Sequence, residues 1–209
     1  MNKDIQRYTA SERSNHWAVA ILFFLAGLSG LALFHPSLFW LTHLFGGGPW
    51  TRILHPFLGV AMCLFFSVLA LRFAHHNRWE KGDGQWLRQV KDVINNREDR
   101  LPEVGRYNAG QKILFWVLLA SMITLLLTGI VIWRQYFSYL FGIDLIRLAA
   151  LLHAFAAWVL ILSILVHIYA GIWVKGSIGA MLNGWVSRAW ARKHHGAWFK
   201  SIEKGDGKH

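Results

Sequence analysis

The stretch LAALLHAFAAWVLILSILVHIYAGIWV, residues 148–174, contains no Asp, Glu, Lys or Arg. A helix rises about 1.5 Å per residue, so a helix over this stretch is longer than the hydrocarbon core of a bilayer, which is about 30 Å thick. Two histidines, His153 and His167, interrupt the apolar run, and their spacing of fourteen positions is close to four helical turns. The stretch therefore predicts a membrane-spanning helix with two histidines on one face, about 21 Å apart along the axis.

Three further windows are apolar and long enough to cross a bilayer, which makes four predicted transmembrane helices. The approximate bounds of the four are 14–34, 53–74, 111–133 and 148–174, and a tail over residues 175–209 follows them. We find no internal repeat and no separable second domain. The predicted fold is thus all-α, a single integral membrane four-helix bundle over residues 1–209.

The tail carries apolar residues at helical spacing, which predicts a cytoplasmic amphipathic helix lying on the inner membrane surface. The apolar positions are Ile178, Met181, Leu182 and Trp185. A solvated or partner-bound tail is the alternative interpretation.

The distribution of charge predicts the orientation. The chain is 55% hydrophobic, yet it carries 22 Lys and Arg and a formal net charge of +11. This combination is typical of a membrane protein with basic ends, so we expect the basic residues to contact membrane lipid and not nucleic acid. Nineteen basic residues lie in the N-terminal arm, the 72–112 connection and the tail, and three lie in the two other loops. The positive-inside rule then places both termini in the cytoplasm.

Four histidines lie inside the apolar windows, and the direction of each helix assigns them to two levels. His16 and His167 lie near the cytoplasmic side, while His55 and His153 lie near the outer side. An ionisable side chain in a membrane helix is costly without a partner, so two matched pairs need a common explanation. Axial ligation of two haem irons, one by each pair, provides that explanation. Because the chain lacks a C-x-x-C-H motif, we expect both groups to be haem b.

Other interpretations of the histidines are open at this point. A lone histidine near a helix end is often a hydrogen-bonded interface residue, and the chain could be a haem-free anchor or a His-lined carrier. The apolar windows contain no acidic residue, which argues against a carrier because a cation path normally uses one. A zinc site at His194 and His195 is only weakly indicated, since neighbouring residues on a helix diverge by about 100°. The seven remaining histidines are expected to be solvated or interfacial: His35, His43, His75, His76, His194, His195 and His209.

The spacing Arg-x-x-His occurs twice, from Arg13 to His16 and from Arg52 to His55. Residues three apart share a helical face, and each arginine lies one turn nearer the membrane surface than its histidine. Haem propionates point toward that surface, so we predict that Arg13 and Arg52 hold them. The alternative is that both arginines only anchor helix ends at the interface.

Several strings in the chain resemble one known family. They are R-I-L-H-P-F-L-G at 52–59, R-Y-N-A-G-Q-K at 106–112, G-I-V-I-W-R at 129–134, H-I-Y at 167–169, W-V-K-G-S-I at 173–178 and W-A-R-K-H-H at 190–195. Together they resemble the gamma subunit of bacterial respiratory formate dehydrogenases, a di-haem cytochrome b. The resemblance extends over nearly the whole length, from about Arg7 to Lys204.

The resemblance implies partners, a location and a direction of electron flow. It implies a bacterial inner membrane protein beside an iron–sulfur beta subunit and a molybdenum or tungsten alpha subunit, both periplasmic, in a complex that associates as a trimer. Formate would be oxidised on the alpha subunit, and this chain would pass electrons from the outer haem to the inner haem and on to menaquinone or ubiquinone. The alternative is the cytochrome b of a membrane-bound nickel–iron hydrogenase. The residues cannot separate the two, because neither formate nor hydrogen would contact this subunit.

A quinone needs hydrogen-bond partners, access from lipid, protons and an electron donor, and these requirements meet beside His167 at the inner level. The third predicted helix begins there with Asn108, Gly110 and Gln111. The two amides can donate to a quinone carbonyl, and the glycine permits a close approach to the backbone. The same residues also fit an ordinary helix start, in which Asn caps the helix and Gln follows three positions later. The resemblance, which implies a quinone site in this segment, favours the binding role.

Overall fold

The computed structural model describes residues 4–95, 97 and 100–205 of the chain. Its regular elements follow in chain order: β1 Ile5–Gln6, α1 Ala10–Phe34, a 3-10 helix Pro36–Phe45, α2 Gly48–Phe73, a 3-10 turn Ala74–Asn77, α3 Asp83–Arg88, α4 Val90–Ile94, α5 Ala109–Ile132, a 3-10 turn Ser138–Leu140, α6 Ile143–Trp173, α7 Ser177–Asn183, β2 Trp185–Val186, α8 Arg188–His194 and α9 Gly196–Glu203.

The helices α1, α2, α5 and α6 are long and apolar enough to cross a membrane. Backbone N–H and C=O groups cannot be left unpaired in lipid, and a continuous helix pairs them within the segment itself. The prediction of an all-α membrane protein with four spanning helices is confirmed, and the chain is a multi-pass membrane protein.

Side-chain caps set the starts of two of these helices. Before α1, the Thr9 backbone N–H donates to the Glu12 carboxylate at 2.7 Å, and the Glu12 N–H donates back to the Thr9 hydroxyl. Before α5, the Asn108 N–H donates to the Gln111 side-chain oxygen, and the Gln111 N–H donates to the Asn108 side-chain oxygen. Such reciprocal bonds satisfy N–H groups that the first helical turn leaves without partners. Both helices therefore begin a few residues before their apolar windows.

The chain divides into two compact units. Unit 2 comprises residues 14–70 and 117–166, and so contains most of the spanning helices. Within it, the Asn15 amide donates to the Phe65 carbonyl at 2.9 Å and joins α1 to α2. Edge-to-face aromatic pairs join other helices of the unit, for example Phe34 of α1 with Trp158 of α6.

Unit 1 comprises residues 1–13, 71–116 and 167–209. In it β1 pairs with β2 as an antiparallel ribbon, and a small apolar core lies beneath the C-terminal helices. The buried residues of that core are Ala180, Val186, Ala191 and Phe199.

The predicted tail helix is shorter than expected. Helix α7 ends at Asn183 because Gly184 adopts the left-handed conformation, φ 90°, and passes close to the backbone of the N-terminal arm. The prediction that Trp185 continues the helix is wrong, since Trp185 lies in β2 and pairs with Gln6. Ile178 and Leu182 do lie on one exposed face of α7, as an interfacial helix requires.

Candidate functional site

Two of the four predicted ligands face each other in unit 2. The rings of His55 from α2 and His153 from α6 have centroids 6.3 Å apart and planes inclined at 76°. The residues lie about one hundred positions apart in sequence, so only the packing of the two helices brings them together. The pair assigned to the outer level thus has the mutual approach of two axial ligands.

Neighbouring hydroxyls determine which nitrogen of each ring carries the proton. The Ser29 hydroxyl donates to the Ala26 carbonyl at 3.0 Å and lies 3.0 Å from His55 Nδ1. The Thr128 hydroxyl donates to the Thr124 carbonyl at 2.6 Å and lies 2.9 Å from His153 Nδ1. A hydroxyl has one proton, and each of these protons is already used, so each oxygen accepts from the ring N–H.

This hydrogen-bond pattern assigns the ring proton of both histidines to Nδ1 and leaves the Nε2 lone pair available to a metal. A metal held by one nitrogen of each ring lies about 2 Å from each nitrogen, and each nitrogen lies about 1 Å from the centre of its ring. The two ring centroids would then be about 6 Å apart. The observed separation of 6.3 Å matches this requirement. The residues thus fit an iron held by two imidazoles.

A glycine lies beside each of the two rings. A Cβ on Gly30 would lie 3.0 Å from His55 Cε1, and one on Gly129 would lie 3.4 Å from His153 Cε1. Each glycine follows a hydroxyl residue, so the same two-residue pattern, hydroxyl then glycine, occurs opposite each histidine. Sequence reasoning missed this pattern, although a hydroxyl followed by glycine inside an apolar window was its visible signal.

The other predicted ligand pair is divided between the two units. His16 lies on α1 in unit 2, with its ring packed edge-to-face on Trp17 at a centroid distance of 5.3 Å. His167 lies on α6 in unit 1. Their pairing rests on the sequence argument from depth.

The two arginines predicted to hold propionates lie in different surroundings. The Arg13 guanidinium donates to the Leu182 carbonyl, so it contacts the end of α7. Arg52 is exposed and lines a cleft of about 460 Å³ with five other residues of unit 2. Those residues are Ala32, Leu33, His35, Pro36 and Phe39.

The segment predicted to bind quinone is an N-terminal cap. Asn108 and Gln111 use their side-chain oxygens to cap α5, which leaves their NH₂ groups as the donors for a ligand. The group that approaches the Gly110 backbone closely is the Trp86 side chain of α3, since a Cβ on Gly110 would lie 3.1 Å from Trp86 Cη2.

A buried lysine lies directly beside this segment. Lys112 Nζ lies 2.9 Å from Asp83 Oδ2 and 3.0 Å from Glu80 Oε2, and its side chain is 1% exposed. Asp83 is also buried, whereas the Glu80 side chain is 63% exposed. Sequence reasoning counted Lys112 only as cytoplasmic charge, since neither carboxylate is near it in sequence.

A second buried cluster of unit 1 contains His195, so the prediction of a solvated side chain at this position is wrong. His195 Nδ1–H donates to the Gly105 carbonyl at 2.9 Å, and Nε2 accepts from the Arg7 guanidinium at 3.3 Å. Arg7 is also buried and lies 4.4 Å from the centre of the Trp198 ring. Burial, together with the positive charge of Arg7, holds the pKa of His195 well below its usual range.

His195 uses both nitrogens in these bonds, so the weakly indicated zinc site with His194 lacks a free ligand on that ring. Within residues 4–95, 97 and 100–205, no three or more His, Cys, Asp or Glu side chains converge to hold a metal ion. Two-histidine ligation of a haem iron needs no such larger group.

Comparison with known proteins identifies the family. A family model described as prokaryotic cytochrome b561 matches residues 7–184. The nitrate-inducible formate dehydrogenase cytochrome b556(Fdn) subunit of Escherichia coli is 45% identical over 207 residues, which cover 99% of this chain and 95% of the relative. The formate dehydrogenase cytochrome b556(fdo) subunit of the same species is 46% identical over 200 residues, covering 96% and 94%.

The formate dehydrogenase cytochrome b556 subunit of Haemophilus influenzae is 45% identical over 196 residues, which cover 94% of this chain and 82% of the relative. All three matches extend over nearly the whole chain. With four membrane helices and matches over nearly its whole length, the chain belongs to the prokaryotic cytochrome b561 family, as a relative of the formate dehydrogenase cytochrome b556 subunits.

Proposed function

We propose that this chain anchors a formate dehydrogenase complex in the membrane and carries its electrons to quinone through two b-type haems. The single observation that carries the proposal is the approach of His55 to His153 at 6.3 Å, with Nε2 of each ring left for iron. Haem bound between the rings accepts and releases single electrons, which is the chemistry an electron carrier needs.

The residues of unit 2 hold and orient the outer haem in this proposal. His55 and His153 supply the ligand nitrogens, and the glycines beside them leave room for the ring edges. Arg52 supplies a positive charge at the adjoining cleft, where a propionate carboxylate would accept its hydrogen bonds.

The inner haem is assigned to His16 and His167 by their matched depth, and Arg13 is the proposed propionate partner on that side. Quinone is assigned to the segment with Asn108 and Gln111, whose free amide NH₂ groups can donate to its carbonyls. In this arrangement the chain is the quinone-reducing part of an oxidoreductase complex, and another subunit oxidises formate.

The proposed orientation puts both termini and the quinone segment on the cytoplasmic side of a bacterial inner membrane. An iron–sulfur subunit and a molybdenum or tungsten subunit would then dock on the weakly charged periplasmic side. Electrons would cross inward while quinone takes its protons from the cytoplasm, which builds a membrane potential. The names of the relatives favour formate over hydrogen as the upstream substrate.

A haem count tests the proposal directly. Purified wild-type protein, analysed as its pyridine haemochrome, should hold two haems per chain. His55→Ala and His153→Ala should each remove the same haem, whereas His43→Ala, an exposed histidine of the 3-10 helix, should remove none. A haem-free wild-type protein, or loss of different haems in the two variants, would overturn the proposal.

A further inference from the structure

The hydroxyls beside the facing histidines form two matched sets that the electron-transfer proposal does not use. Ser29 on α1 contacts His55 on α2, and Thr128 on α5 contacts His153 on α6. In both sets the helix preceding the histidine supplies the hydroxyl, and a glycine follows it. The repetition indicates that the hydroxyls serve the histidines rather than the packing of one helix alone.

We infer that Ser29 and Thr128 are positioning residues that fix the Nδ1–H tautomer of His55 and His153 and lower the reduction potential of the outer haem. The inference rests on the proposed function, because it assumes that both rings bind iron. Its evidence is the hydrogen-bond pattern: each hydroxyl donates its proton to a helix carbonyl, and each hydroxyl oxygen lies within hydrogen-bond distance of Nδ1.

The direction of the effect follows from the chemistry of the ligand. An imidazole that donates its N–H to an oxygen is a stronger base at its other nitrogen. A stronger base stabilises the ferric iron more than the ferrous iron, so the hydrogen bond lowers the potential. The effect of losing it should therefore be a rise in potential.

The hydroxyls also restrict the rotation of the two rings. Ser29 and Thr128 are both buried, and each hydroxyl oxygen is held in position by its bond to a helix carbonyl. With Nδ1 bound to that oxygen, the ring cannot turn without breaking the hydrogen bond. The ligand orientation is thus set before haem binds, which reduces the entropy cost of binding.

The chain offers matched control variants. Thr124 lies one turn before Thr128 on α5, and its hydroxyl donates to the Ala120 carbonyl. Ser67 on α2 donates likewise to the Cys63 carbonyl. Neither of these two hydrogen bonds involves a proposed haem-ligand histidine, so Thr124→Val and Ser67→Ala remove a helix hydroxyl without touching the hydroxyl–histidine contact.

The experiment is a spectroscopic redox titration of the purified holoprotein, in which the two haems report separately. Thr128→Val and Ser29→Ala should each shift the reduction equilibrium of one haem about threefold to tenfold toward the reduced form, about 30 to 60 mV for one electron. Thr128→Ser should restore the wild-type potential, and both control variants should keep it. Low-temperature electron paramagnetic resonance should show changed ligand orientation for the same haem only.

The inference is overturned if Thr128→Val and Thr124→Val have the same potentials, or if the potential falls. Failure of the proposed function gives a different result, because His153→Ala would then leave the haem content of the protein unchanged.

Discussion

Replacing Lys112 by Met should destabilise unit 1 strongly. The substitution keeps an unbranched apolar stem but removes the ammonium that lies 2.9 Å from Asp83 and 3.0 Å from Glu80. The Asp83 side chain is 4% exposed, so its carboxylate is left with one described donor, the Glu80 backbone N–H at 2.6 Å. Leaving one member of a buried ion pair without its partner costs about 3–5 kcal/mol.

The two carboxylates should contribute very unequally. The Glu80 side chain is 63% exposed, and a pair with such a group is worth at most about 1 kcal/mol because water screens the charge. Glu80→Gln should therefore lower the free energy of unfolding by less than about 1 kcal/mol, while Asp83→Ala should approach the loss of Lys112→Met. The double variant Lys112→Met with Asp83→Leu should recover most of the loss, since no unpaired charge is then buried.

Unfolding of the detergent-solubilised holoprotein, followed by far-ultraviolet circular dichroism and tryptophan fluorescence, measures these differences. Trp86 is a suitable reporter because it packs on Gly110, beside the lysine. Wild-type stability in Lys112→Met, or a double variant no more stable than the single one, would refute the assignment of a buried ion pair.

Three further results are expected. The free energy of unfolding of the wild-type protein should fall as the pH drops below about 6.5. Below that pH the histidine of the unfolded chain binds a proton, whereas buried His195, whose pKa is lowered, does not. His195→Asn should therefore make the stability less dependent on pH, as measured by thermal unfolding at several pH values. Asn108→Ala should keep both haems reducible by the upstream donor but slow their reoxidation by a menaquinone analogue, and reoxidation at the wild-type rate would leave Asn108 as a helix cap only. Arg52→Gln should lower the potential of the outer haem, since it removes a cation that favours the added electron, and an unchanged potential would show that Arg52 only anchors the helix end.

Much of the candidate site could be predicted because helix geometry is regular. The depth of His55 and His153 follows from where each apolar window begins and from a fixed rise per residue. The caps at Thr9 and Asn108 can be recognised in the sequence, because the partner of each lies only three residues away. His195 was less predictable, because burial in the tail depends on what packs over it. Of the other histidines expected to be solvated or interfacial, His35, His43 and His75 are exposed and His209 lies outside the described residues.

The amino-acid sequence alone specifies the four membrane helices, because a bilayer requires long uncharged segments whose backbone groups pair internally, and such segments are visible in the composition. Which side chains meet across helices, in contrast, depends on how the helices pack. The Thr128 hydroxyl and His153, Lys112 and Asp83, and Arg7 and His195 are each separated by 25 or more positions. Local propensity carries no information about such contacts, since the rotation of each helix and the path of each connection decide them. The strand at Trp185 has the same cause, because its hydrogen-bond partner comes from the opposite end of the chain.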